Sequence, residues 1–359
     1  MCFFHLLFFA PSREPKATTL RKGCSMRILT LCNAYPSAQK PWEGPAIGVQ
    51  VQGLRNLGLN VHVLHLKRQA LGKRVYLGAY PKIRRLFMQG KFDILHVQYG
   101  GLQALLGSLA AGRRCVITYR GTDLHGGFAQ NHGEKIRYWT GVQCSRLAAT
   151  QCGACIVVSK NLLSFLESWA KRAAVIPSGV DYHRFFPMDK QIVRKKLGLC
   201  EDARYILFCD SGADPVKRRD LAKHCVELVQ GFLPKASLLL LSRVAFGDVP
   251  LYINAADVLL VTSQKEGSPN IVKEAVACNL PVVAVEAGDI PAMISGLSNC
   301  YITQRDPGAI SGALLKVLAD GRRSEGREKM RYLLDNENIC RRVLSVYEDM
   351  TRSSRPHCW

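Results

Sequence analysis

Two carboxylates, Glu266 and Glu274, bracket seven residues in the stretch Glu266-Gly-Ser-Pro-Asn-Ile-Val-Lys-Glu274. Ser268 suits an N-cap and Pro269 a first helical position, so a helix should begin near Asn270 and run to about Cys278. The unpaired N–H groups of Asn270 and Ile271 would then face outward with the positive end of the helix dipole, a natural seat for a diphosphate. Two acceptors beside that seat suit a ligand that carries hydroxyls next to its phosphates, as a nucleotide sugar does. The plainer alternative makes Glu274 a solvated acid that the dipole favours near a helix start.

The elements that must position this segment are two apolar runs, Val258-Leu-Leu-Val261 and Leu280-Pro-Val-Val-Ala-Val285. Short continuous runs of this kind read as strands buried on both faces of a parallel sheet. The helix then starts at the carboxyl end of a strand, where open α/β sheets bind ligands. Similar alternation of strand-like and helix-like segments runs along nearly the whole chain, which means α/β with parallel sheets.

The spacing of the two acids, followed by Ala275-Val-Ala-Cys-Asn-Leu-Pro-Val-Val283 and Gly288-Asp-Ile290, resembles the donor-site motif of family 4 retaining glycosyltransferases. The resemblance implies the GT-B fold: two Rossmann-like domains facing across a cleft, with the C-terminal helix returning to the first. It gives Glu274 the ribose hydroxyls of a nucleotide, and Glu266 with Gly267 and Ser268 the transferred sugar. Reaction with retention of anomeric configuration, with no metal or other cofactor required, is implied with it.

At 359 residues and 48% hydrophobic the chain can fill two ordinary cores. A formal charge of +21 calls for an acidic partner. Nucleic acid is the weakest choice, because no motif for it accompanies the charge. Most of the 14 cysteines sit in apolar segments, as Cys32, Cys209 and Cys278 do, and read as small buried hydrophobes of a reducing cytoplasm. Cys152-Gly-Ala-Cys155 lacks a second pair at metal-site spacing. Residues 1–25 stand apart: their apolar run, Phe3 to Phe9, is too short to span a bilayer, and the first real strand starts at Met26. They read as a start assigned too early or as a short membrane-contacting extension.

In the first domain, placed at 26–180, the loop Ala34–Gly44 follows the first strand, and Gly44 occupies the position of the family's glycine-rich loop. Residues 67–91 hold eight cations and no acid, and Pro81–Gln89 should form a helix with Ile83, Leu86 and Phe87 on one side. Such an element suits an anionic membrane surface, and equally a helix that packs on the sheet with solvated cations. Tyr119-Arg-Gly-Thr-Asp123 resembles the family's segment at the crevice floor, with Arg120 where a His is usual. Arg120 could support a phosphate or an acidic acceptor, or mark a different sugar arrangement; Asp123 could be a site residue or a turn cap.

Pro177-Ser-Gly-Val-Asp181 resembles the interdomain segment, and the second domain, 181–335, holds the nucleotide sugar, followed by the helix and tail 336–359. In Asp210–Arg219, Lys217 matches the family's diphosphate Lys, whereas the Arg does not match, leaving Arg218 or Arg219 as its substitute. Arg243 and Val244 fall where the base is contacted. The expectation is therefore a hexosyltransferase using a nucleotide sugar, uridine favoured, on a glycan or lipid-linked acceptor of envelope polysaccharide or lipopolysaccharide. It would be cytoplasmic and peripheral to the inner face of the membrane. The rivals are an inactive carbohydrate- or lipid-binding protein on the same fold and a nucleotide-sugar epimerase.

Overall fold

Among the described residues, continuous runs of Val, Ile and Leu too short for helices form eleven strands in two sheets, and every pairing within them is parallel. The computed structural model describes residues 26–68, 72–210 and 214–353. The segment 1–25, with its two readings, lies outside them, as do Ser211, Gly212 and Ala213 of the expected phosphate loop.

The first sheet comprises β1 (Arg27–Cys32), β2 (Asn60–His65), β3 (Ile94–Gln98), β4 (Cys115–Tyr119), β5 (Ala154–Val157) and β6 (Ala173–Val175), in the order β2-β1-β3-β4-β5-β6. The second comprises β7 (Arg204–Cys209), β8 (Ala236–Leu241), β9 (Val258–Val261), β10 (Val282–Val285) and β11 (Tyr301–Thr303), in the order β11-β10-β9-β7-β8. Each is a Rossmann-like sheet, because parallel neighbours need helical crossovers and these cover both faces. Strand order reverses between β7 and β9, which makes their carboxyl ends the switch point of the second sheet.

The chain groups into two units. One holds the described residues up to Tyr35, then Gln50–Pro177 and the described residues from Cys340 on; the other holds Pro36–Val49 and Ser178–Ile339. The loop after β1 thus belongs to the second unit. In the first unit Ile83 and Phe87 of the helix Ala79–Gln89 pack with Leu29, Leu95 and Ile117. Leu86, expected on that apolar side, is instead exposed with Leu77 and Met88 beside the exposed Lys82, Arg84 and Arg85. The helix gives Ala79, Ile83 and Phe87 to the core, and rotation by its 3.6-residue period carries Leu86 outward.

The last helix, Asn336–Ser353, places Tyr347 against the first sheet. The Tyr347 hydroxyl meets His96 Nδ1 at 2.6 Å, and His96 Nε2 meets Thr118 Oγ1 at 2.7 Å. His96 and Tyr347 are fully buried, and burial pushes the imidazole down to about 3, so it is neutral at ordinary pH. The thiols of Cys152 and Cys155 are buried, 3.5 Å apart. Among the described residues no helix is long and apolar enough to cross a membrane.

Replacing Tyr347 by Phe leaves His96 Nδ1 with only its longer contact, 3.3 Å to Gln98 Nε2. It should cost about 1–3 kcal/mol, read as a lower urea midpoint at unchanged slope.

Candidate active site

The loops after β7 and β9 meet at the switch point of the second sheet. Thr262, just past β9, donates its hydroxyl to the carbonyls of Lys217 and Arg218 at 2.7 and 3.0 Å, and Gln264 N donates to Val216 O at 2.8 Å. This fixes the turn Pro215–Lys217, which Asp214 caps through Val216 N. Lys217 Nζ then reaches Glu266 Oε1 at 2.6 Å. Burial pulls the Lys217 ammonium down, but Glu266 and its neighbours outweigh this and hold it above its ordinary value.

The helix after this loop spans Asn270–Ala277, and its N-cap is Pro269 rather than Ser268. Ser268, expected to cap, makes no such bond; it sits one residue too early to reach the first amides. The amides of Asn270 and Ile271 remain in the first turn, where no intrahelical acceptor exists for them. Glu274, one turn in, is half-buried, and desolvation pushes its carboxyl up to about 7 against the pull of Lys273. Gly267 is held by Gly288, whose φ is +58° and whose Cβ, were there one, would lie 2.7 Å from the carbonyl oxygens of both Glu266 and Gly267.

Three residues here escaped the sequence reading. Lys273 is fully buried, with Nζ 3.4 Å from Ser268 O and its charge felt by Glu274 and Asp289. Asp289 stands near Ser268, yet the pair falls outside hydrogen-bond geometry, leaving Ser268 Oγ and Asp289 Oδ1 buried without partners. Beside Gly44, Glu43 is buried with Oε1 likewise unpartnered. A cation inside an otherwise apolar helical face was the available signal for Lys273; nothing local marked the other two. Gly44 itself has φ +64°, which requires a glycine.

The choice left open between Arg218 and Arg219 is narrowed by their partners. Arg218 folds back on Asp220 at the surface, whereas Arg219 Nη1 lies 3.7 Å from the buried Asp210 at the end of β7, with its Nε buried and unpartnered. Arg219 is therefore the better placed of the two. Arg243 is exposed at the end of β8 with φ +52°, and Val244 packs on the core.

In the first unit Asp123 accepts from Gly100 N at 2.8 Å, Gly121 N at 2.7 Å and Arg120 N at 3.0 Å. Both its oxygens are engaged with backbone, and it holds the loops after β3 and β4 together. Arg120 Nη2 donates to Gln98 Oε1 at 2.6 Å, and Gln98 donates to Gln50 at 2.6 Å. Burial lowers the Arg120 guanidinium to about 10, still charged at neutral pH. Tyr99 between these loops has φ +101°, strained for a side-chain residue, and its hydroxyl bonds Thr122. Strain of that kind concentrates at functional sites; the following Gly100-Gly101 pair was its sequence signal.

A parallel α/β unit with cations, acids and a helix amino end at its switch point is suited to a phosphorylated ligand. The family model for Glycosyltransferase Family 4 matches residues 21–184, and that for Glycosyl transferases group 1 matches residues 192–320. The chain belongs to this glycosyltransferase family, and its fold is GT-B. It is 24% identical to the Bacillus subtilis (strain 168) protein named as teichuronic acid biosynthesis glycosyltransferase TuaC, over 81% of this chain and 89% of that one. It is 31% identical to D-inositol 3-phosphate glycosyltransferase of Geodermatophilus obscurus, over 45% of this chain and 43% of that one, so this match spans less than half of that relative. Among solved structures, sucrose-phosphate synthase from Thermosynechococcus elongatus has a TM-score of 0.72 at 15% identity, covering 92% of this chain and 100% of that one. Anabaena HepE in complex with UDP-glucose has a TM-score of 0.67 at 15% identity, covering 90% and 100%.

Because Glu274 binds its proton more tightly folded than unfolded, its contribution to stability is full below about pH 4.5 and lost as pH rises through about 7. Glu274→Gln should therefore be more stable than the parent at pH 8 by on the order of 2 kcal/mol, an advantage that vanishes near pH 4 when urea midpoints are compared.

Proposed function

We propose that this glycosyltransferase takes a UDP-sugar as donor and moves its hexosyl group, with retention of configuration, to a glycan or lipid-linked acceptor of the cell envelope. The observation that carries the reading is the convergence of Lys217, Glu266, Glu274 and the amino end of the helix Asn270–Ala277 at the β7/β9 switch point. Glu274 would hold ribose hydroxyls, and Glu266 with the Gly267-Ser268 turn would hold the sugar. Uridine is favoured because HepE was solved with UDP-glucose.

As the acceptor oxygen bonds to the anomeric carbon, the bond from that carbon to the diphosphate breaks on the same face, and the acceptor proton passes to the departing phosphate. Charge growing on the diphosphate would be balanced by Lys217, Arg219 and the helix amides, an electrostatic route that asks for no metal. In the first unit Arg120 and Asp123 would shape the acceptor side, Arg120 as a fixed cation and Asp123 through the loops it holds. An acidic acceptor suits the +21 charge, and both relatives described above are named for acidic compounds. Exposed Leu77 and Met88 among Lys82, Arg84 and Arg85 would favour an anionic membrane surface, where each well-placed cation adds about 1 kcal/mol.

A panel of UDP-, GDP- and ADP-sugars, assayed for nucleotide release with and without EDTA, tests the reading. One UDP-sugar should turn over, with an α-linked donor giving an α-linked product by NMR, and the chelator should leave the rate unchanged. Lys217→Ala should lower kcat by roughly 100-fold or more. Turnover confined to another base, or inversion in the product, would refute the corresponding part.

A further inference from the structure

We propose that the second unit also carries a pocket for a small phosphoryl- or diphosphoryl-bearing ligand, at the opposite strand ends from the donor site. A cavity of about 240 Å³ is lined by Lys190, Arg204, Arg322 and Arg323 around Asp257, with Leu318 as its apolar wall. Arg204 is the first residue of β7, and Asp257 immediately precedes β9. The cavity therefore lies at the amino ends of these strands, whereas Lys217 and Glu266 lie beyond their carboxyl ends. Six residues of β7 put roughly 20 Å between the two, and the inference stands independently of the donor reading.

The charges in this cavity do not balance. Asp257 is already engaged: Oδ1 by Lys190 Nζ at 2.7 Å, Oδ2 by Arg194 Nη2 at 2.8 Å and by Tyr205 N at 2.7 Å. Arg322 pairs with Asp320 at the surface. Against these two carboxylates stand the four cations that line the cavity, Lys190, Arg204, Arg322 and Arg323, with the buried Arg194 behind Asp257. Arg323 donates through Nη2 to Asn254 O at 2.7 Å, but its Nη1 is buried with no acceptor. A charged donor left so is costly and rare in protein interiors. In the cavity itself the exposed Arg204 and Arg322 offer a phosphoryl group the forked geometry of guanidinium.

Cations that follow a helix also offset its dipole, and Arg322 and Arg323 follow the helix Pro307–Asp320. That accounts for neither Lys190 nor Arg204, which reach the cavity from the start of another helix and from β7. The volume lies below the lower end of ordinary ligand pockets, about 300 Å³. The occupant is thus smaller than a nucleotide: a diphosphate or the phosphate ester of a small compound.

Pyrophosphate titrated by calorimetry into the full chain carrying Lys217→Ala, which lacks the donor-site cation, should show one saturable site. Adding Arg204→Glu or Arg323→Met should weaken it at least tenfold, and raised NaCl should weaken it as well. Arg204 is exposed, so its substitution probes the cavity without endangering the fold. No saturable binding in the Lys217→Ala protein shown to be folded by circular dichroism, or binding indifferent to Arg204→Glu, would overturn the assignment.

Discussion

The ion pair between Lys217 and Glu266, 2.6 Å long, joins the loops on the two sides of the switch point in the second sheet. Both partners are largely withdrawn from water, so removing one would strand the other at a cost of about 3–5 kcal/mol. Around the pair the backbone is tied from three directions: Thr262 holds the carbonyls of Lys217 and Arg218, Gln264 holds Val216, and Gly288 presses on Glu266 and Gly267. The helix starting at Asn270 therefore begins at a fixed point. A preset cation and preset amides are what a leaving diphosphate needs, since they require no rearrangement as charge develops.

Glu274 shows the accompanying penalty. Its carboxyl is raised to about 7 by burial, so an ionised Glu274 works against the fold at neutral pH. Lys273 beneath it opposes this and also meets the carbonyl of Ser268. The first unit is built differently. There a polar web of Gln50, Gln98 and Arg120, with His96, Thr118 and Tyr347 alongside, fixes side chains at the ends of β3 and β4, and Asp123 binds the two loops through their amides. One unit presents charges balanced against each other; the other sets a single cation, Arg120, among neutral amides beside a carboxylate tied to backbone N–H groups.

Strands and the donor helix were readable because their signals are local: β-branched runs for β9 and β10, Ser-Pro-Asn before the helix, glycine at 44 and 288. Even so, the cap fell on Pro269, and Leu86 turned outward, since boundaries and facing depend on packing partners that a local pattern does not contain. Lys273, Asp289, Gln98 and Glu43 were not legible for the same reason. Their meaning comes from residues distant in sequence, as when Gln98 meets both Gln50 and Arg120. Arg218 and Arg219 could not be told apart until Asp220 and Asp210 were seen to divide them. The grouping of residues 36–49 with the second unit likewise rests on contacts such as Asn336 Nδ2 to Val49 O at 3.0 Å, which no periodicity announces.

The central claim is that a nucleoside diphosphate sits on the amino end of the helix Asn270–Ala277 with its ribose on Glu274. Calorimetric titration of UDP, GDP and ADP into protein beginning at Met26, in parallel with Glu274→Ala, tests it most directly. Saturable binding of UDP is expected, lost in the variant while the variant remains folded by circular dichroism. Failure of every nucleotide to bind folded parent protein, or UDP affinity unchanged by Glu274→Ala, would contradict it.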